Sequence, residues 1–197
     1  VLRRWEAVPL LHEDRLLIDG ELVAAGSSFE TVNPATGEVL GTASDAGAEH
    51  VEAAVAAARR AFDTTEWSRD RDLRLRCLRQ LHKALVEHQE ELRELTIAEV
   101  GAPRQATHGA HLDDPVGFAD YYAGVLEGYE FRYDLPTTEA HGQKHRRWVE
   151  KEAAGVVAAI IAYNYPNQLA LAKLVPALAA GCTVVLKGAP DTPWTTL

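Results

Sequence analysis

Two polar residues mark the strand ends of a largely apolar stretch of this chain, and each is of a type that can do chemistry. In AYNYPNQLALAKLVPALAAGCTVVLKGAP, Asn164 stands between two tyrosines and Lys187 closes the run TVVLK. An asparagine followed closely by Pro166 suits a helix N-cap, with the proline in the first turn. The same amide can instead donate its N–H groups in catalysis. A lysine at a strand end can carry its ammonium to solvent on its methylene stem or hydrogen-bond a ligand. Residue type alone leaves both pairs of readings open.

Other reactive residues offer less. Cys77 and Cys182 lie far apart in different surroundings, which argues against a disulfide framework. Cys77 sits beside an apolar helical stripe and Cys182 has no cationic neighbour to lower its pKa, so both read as small core residues rather than nucleophiles. THGAHLDDP gathers His108, His111, Asp113 and Asp114, but His-x-x-His followed by carboxylates is not a recognised zinc spacing. No metal is expected. G-x-G-x-x-G and Walker patterns are absent.

The elements that hold Asn164 and Lys187 can be read from the pattern around them. GVVAAIIA is an unbroken apolar run, as expected of a strand buried on both faces. A helix then starts at Pro166, and TVVLK forms a second buried strand. Such a βαβ unit has a right-handed crossover. Ligands of open α/β sheets gather at the carboxyl ends of the strands, where both polar residues fall. Upstream, Asp19-Gly20 predicts a hairpin, and Asn33-Pro34 with Thr36-Gly37 a second turn. Helices are predicted over 48–62, with Val51, Ala54, Val55, Ala58 and Phe62 on one stripe, and over about 70–100. The latter carries a stripe of Leu78, Leu81, Leu85, Leu92 and Leu95 and stops at Gly101. DDPVGFADYYAGVLEGYE reads as a third helix. The chain then turns extended, with a reversal near His141-Gly142.

Bulk composition narrows the partners. The 197 residues are 47% hydrophobic and 25% charged, with a net charge of −9, a globular composition without the basic stripe a nucleic-acid partner needs. The basic run 144–147 is soon followed by Glu150 and Glu152 and reads as one solvated strand face. No segment is long and apolar enough for a membrane span or a signal peptide, and a reduced, cytoplasmic setting is expected. The chain starts at Val1 and contains no methionine, so a trimmed end is expected.

Position by position, LLIDGELV, VNPATGEVLGTA, VEAAVAAARRAF, DYYAG and above all the stretch from AAGVVAAIIAYNYPNQ to GAPDTPWTTL resemble the N-terminal part of the NAD(P)-dependent aldehyde dehydrogenase superfamily. The resemblance implies an α/β fold holding the first βαβ of a Rossmann-like coenzyme domain. Residues 1–136 would be the N-terminal part of that domain, 137–152 an extended oligomerisation arm and 153–197 the βαβ unit. It implies oxidation of an aldehyde to a carboxylic acid with NAD or NADP, in a homodimer or homotetramer. Asn164 takes the place of the family's oxyanion-hole asparagine. Lys187 takes that of the lysine bonding the adenosine ribose, with Ala189 and Pro190 beside it. Ile160, Ile161, Ala162 and Tyr163 would wall the coenzyme; Tyr165, Leu169 and Ala172 would line the aldehyde path.

The departures are informative too. The family's Pro-Trp-Asn-Phe-Pro is here Ala-Tyr-Asn-Tyr-Pro. Pro190 replaces a glutamate that NAD-preferring members often carry, which removes a repulsion against a 2′-phosphate, while Asp191 follows at once. Neither cysteine falls at the family's nucleophile position, so the thiolate that forms the thiohemiacetal and thioester is expected beyond this chain. A truncated, non-catalytic paralogue acting as an interaction subunit and an acylating member are the alternatives.

Overall fold

Local turn chemistry sets the first two ladders. Asp19 and Gly20 both take positive φ, 57° and 80°, the conformation that a tight two-residue hairpin loop demands. They join β1 (Leu16–Ile18) to β2 (Glu21–Val23) in antiparallel register. In the next turn Asn33 Oδ1 accepts from the backbone N–H of Ala35 at 2.9 Å and of Thr36 at 3.3 Å. That turn connects β3 (Ser28–Val32) to β4 (Val39–Ser44). The structure, a computed structural model, describes residues 12–197. The signal-peptide reading of the first residues thus rests on 1–11, which lie outside the described residues.

Helices follow: α1 (Ala48–Thr64), α2 (Arg71–Glu87), α3 (Gln89–Val100), α4 (Arg104–Thr107), α5 (Asp113–Val116) and α6 (Phe118–Glu127). Asp70 caps α2, its side chain accepting from Leu73 N at 2.9 Å. Gly101 ends α3 at φ 69°, as expected from the sequence. The long helix predicted over 70–100 is two. His88 leaves helical geometry at φ −103°, ψ 14°, and its leucine stripe serves two cores. Leu75 and Leu78 pack with Ala119, Ala123, Leu126, Leu171, Val175 and Ala179, whereas Leu95 packs with Ala43 and Trp194. The third predicted helix is likewise divided, at Gly117.

The stripe on α1 is only partly covered. Ala57 is buried, but Val51 and Val55 are exposed, because β1, β7 and β8 do not cover its N-terminal half. β5 (Arg132–Ala140) and β6 (Gln143–Glu150) form a hairpin through His141 and Gly142, both at positive φ, and nearly every residue in it is exposed.

β7 (Val156–Ile160), α7 (Pro166–Ala179) and β8 (Thr183–Lys187) form the βαβ unit, with β7 and β8 parallel. The strand expected to be buried on both faces is only partly covered. Ala159 is buried, while Ala158 and Ile160 are exposed towards its carboxyl end; α1 reaches the other end of that face, where Thr183 Oγ1 donates to Ala58 O at 2.9 Å. A final turn, Trp194–Thr196, returns to α3. Among the described residues no helix is long and apolar enough to cross a membrane.

Candidate active site

The register of the parallel pair places the two polar residues. Ile160 pairs with Lys187, and Ile161 N donates to Lys187 O at 3.2 Å. Lys187 therefore ends β8 at the same sheet end from which 161–165 leave β7. Its Nζ is exposed and donates to Gly188 O at 3.2 Å. Asn164 is exposed in that connection, and its amide has no hydrogen-bond partner among the described residues. The N-cap of α7 is Tyr165, at φ −140° and ψ 64°, with no side chain capping the helix. The cap reading of Asn164 is thus not what the fold adopts, and its N–H groups face outward.

The neighbouring residues expected along the coenzyme divide by strand alternation. Ile161 is buried; Ile160 is 65% exposed and Tyr163 57% exposed, with Ala162 also exposed. Beyond Lys187 the chain turns back, Thr192 N donating to Ala189 O at 3.2 Å. Ala189 is buried, and Pro190 and Asp191 sit exposed at the tip.

On the helix side, Tyr165 stacks on His111, with ring centroids 4.2 Å apart at 23°. Burial holds the His111 imidazole below its ordinary pKa, which favours a neutral ring against the tyrosine. Leu169 is half-buried. Ala172 lies on the wall of a cleft of about 420 Å³ with Asp114, Gly117, Phe118, Tyr121 and Tyr122. Of the three residues expected along the aldehyde path, Ala172 lines this cleft and Tyr165 and Leu169 do not.

Two anchoring residues escaped the sequence reading. Asn167 is 5% exposed, and its Nδ2 donates to Thr96 Oγ1 at 2.8 Å and to His111 O at 2.9 Å. It pins the first turn of α7, three residues past Asn164, to α3 and to the segment before α5. Glu99, 2% exposed, accepts from Trp194 N at 2.9 Å and from Thr195 N at 2.8 Å and Oγ1 at 2.5 Å. Burial drives its carboxyl above the usual range against these bonds. PNQ and EVG carry no local signal for either role, because every partner is remote in sequence.

The His/Asp cluster is structural. Asp113 accepts from Arg93 and Gln89 at 2.7 Å and meets His108 at 3.1 Å. Burial pulls its carboxyl upward, but these bonds outweigh it and hold it below the ordinary value. No group of three or more ligating side chains among the described residues could hold a metal. Cys182 is buried and Cys77 half-buried, both as free thiols.

Comparison with known proteins gives this geometry a lineage. The model of the aldehyde dehydrogenase family matches residues 22–197. The chain belongs to the aldehyde dehydrogenase family. It is 36% identical over 182 residues to aldehyde dehydrogenase 1 of Tanacetum cinerariifolium, covering 91% of this chain and 36% of that protein. The fold superposes on the Mycobacterium tuberculosis aldehyde dehydrogenase complexed with NAD+ with a TM-score of 0.85 and 36% identity, covering 93% of this chain and 38% of that one. An NADP-dependent enzyme of Escherichia coli gives 0.85 and 33%, covering 93% and 37%. The chain spans little more than a third of each of these proteins, and it follows the N-terminal portion of the aldehyde dehydrogenase fold.

Proposed function

We propose that the protein carrying this chain oxidises an aldehyde to a carboxylic acid with NAD or NADP. The observation that supports this most directly is the Ile160–Lys187 register. It sets an unpaired amide and an exposed ammonium past the same end of a parallel pair, where α/β sheets bind their ligands.

The residues present fit the coenzyme. Among the described residues Lys187 Nζ meets only the adjacent carbonyl of Gly188 and can turn to donate to ribose hydroxyls. Exposed Ile160, Ala162 and Tyr163 form an apolar and aromatic wall beside it. Pro190 itself carries no carboxylate, which leaves room for a 2′-phosphate as well as a 2′-hydroxyl, with the exposed Asp191 next to it keeping some negative charge at the tip. When bound, the nicotinamide would accept hydride from the carbon being oxidised.

The chain's own part is to bind and to stabilise charge. As a thiolate from outside these 197 residues attacks the aldehyde carbon, the carbonyl oxygen gains negative charge. Asn164 Nδ2–H would donate to it, a dipole already in place that adds no charge of its own. In the same reading the exposed β5–β6 hairpin, with Tyr133, Leu135 and Trp148 open to solvent, is the arm that pairs subunits.

Asn164→Ala in the full-length protein tests this. Loss of one oxyanion donor is worth about 3 kcal/mol, roughly a hundredfold in kcat, with coenzyme affinity little changed. A variant with unaltered kcat would refute the role.

A further inference from the structure

The connection from β7 to α7 is fixed at its two ends. At the sheet end Ile161 N donates to Lys187 O at 3.2 Å. At the helix end Pro166 is fully buried, and Asn167 is bonded to Thr96 and His111. Between them the Asn164 amide has no hydrogen-bond partner among the described residues to set its direction. Tyr165 joins Asn164 to the buried proline, and its ψ of 64° falls between the extended and helical wells. With Pro166 held, rotation about that bond carries the Tyr165 ring and, across a planar peptide, Asn164 along with it. A contact that holds the ring therefore limits where the amide can point.

His111 supplies that contact. Its imidazole lies nearly flat on the Tyr165 ring, with centroids 4.2 Å apart and planes 23° apart. The histidine is itself anchored, because its carbonyl accepts from Asn167 Nδ2 at 2.9 Å and the next residue, Leu112, is 0% exposed. Its Nδ1 is buried without a hydrogen-bond partner among the described residues, so at that atom the side chain serves by its flat face and not by a bond. We propose that His111 is a positioning residue, whose ring fixes Tyr165 and thereby aims the Asn164 amide at the oxygen where negative charge develops. The effect on rate rests on the aldehyde-oxidising reading; the hold of His111 on Tyr165 does not.

The test uses the full-length protein. His111→Ala should lower kcat for aldehyde oxidation about fivefold, within the worth of a stacked ring pair. His111→Leu, which fills the space without a flat face, should lose as much. His111→Phe should restore kcat to within about twofold of the unmodified protein. In the Asn164→Ala background His111→Ala should cost nothing further, because the group it aims has gone. An unchanged kcat in His111→Ala and His111→Leu, a loss in His111→Phe as large as theirs, or losses that multiply in the double variant would overturn the proposal. Apart from turnover, carbethoxylation of His111 by diethyl pyrocarbonate, mapped by mass spectrometry, should run several-fold faster in Tyr165→Ala and unchanged in Tyr163→Ala. Equal rates in these two variants would overturn it as well. If no aldehyde is oxidised, the proposed activity fails, and the labelling alone decides whether His111 holds Tyr165.

Discussion

Asn167→Ala separates anchoring from chemistry at the start of α7. The Asn167 Nδ2 makes two hydrogen bonds in a dry setting, to Thr96 Oγ1 and His111 O. Thr96 Oγ1 keeps the bond it donates to Leu92 O at 2.7 Å, so its loss is one accepted bond, worth about 1 kcal/mol. The His111 carbonyl is left without this donor, at a cost of about 1–3 kcal/mol. The expected total is about 3 kcal/mol, read as a urea midpoint lowered by about 1 M or more for a slope near 2 kcal/mol/M. Asn164→Ala, three residues earlier, removes an exposed side chain with no partner and should cost under about 0.5 kcal/mol while lowering kcat. A loss below about 1 kcal/mol for Asn167→Ala, or equal losses for the two variants, would refute the division of labour between them.

Other outcomes follow from the same contacts. Burial raises the folded pKa of Glu99 above its unfolded value, so its contribution to stability is present at low pH and lost as pH rises through the folded pKa. Glu99→Gln should flatten the slope of unfolding free energy against pH above the ordinary carboxylate range, and an unchanged slope would refute it. Gly181 adopts φ 93°, and a Cβ there would lie 3.1 Å from Ser68 O and 3.3 Å from Ala153 Cβ. Gly181→Ala should therefore destabilise by about 1–3 kcal/mol, and a thermal melt within error of wild type would count against this. Pro190→Glu should move the kcat/KM ratio towards NAD by about 1–2 kcal/mol; an unmodified protein that already rejects NADP as strongly would show that Pro190 does not set the choice.

Much of the frame was legible because its signals are local. Asp19-Gly20, Asn33 and Gly37, and Gly101 announce their turns within a few residues, and the βαβ unit shows in two β-branched runs around an apolar helix. The break at His88 has no glycine or proline to mark it; it comes from α2 and α3 packing into different cores. Val51, Val55, Ala158 and Ile160 have core-type side chains, yet their exposure depends on which neighbours cover them, and that is not written in their own periodicity. Asn167 and Glu99 were invisible for a related reason. Their partners lie 56 to 96 positions away, and nothing nearby distinguishes them from surface polar residues.

The seam closed by Trp194 has a consequence for how the chain is made. Its indole Nε1 donates to Thr42 O at 3.0 Å, across 152 positions, while the backbone N–H groups of Trp194 and Thr195 reach Glu99. At a synthesis rate of about 5–20 residues per second, α3 leaves the ribosome roughly 5–20 s before its clamp exists. Throughout that interval the Glu99 carboxylate has none of its later donors and must stay in water, which holds the α3 face beside β4 undocked. The nascent polypeptide thus carries the α3 face beside β4 without its Trp194 cover until that residue has been made.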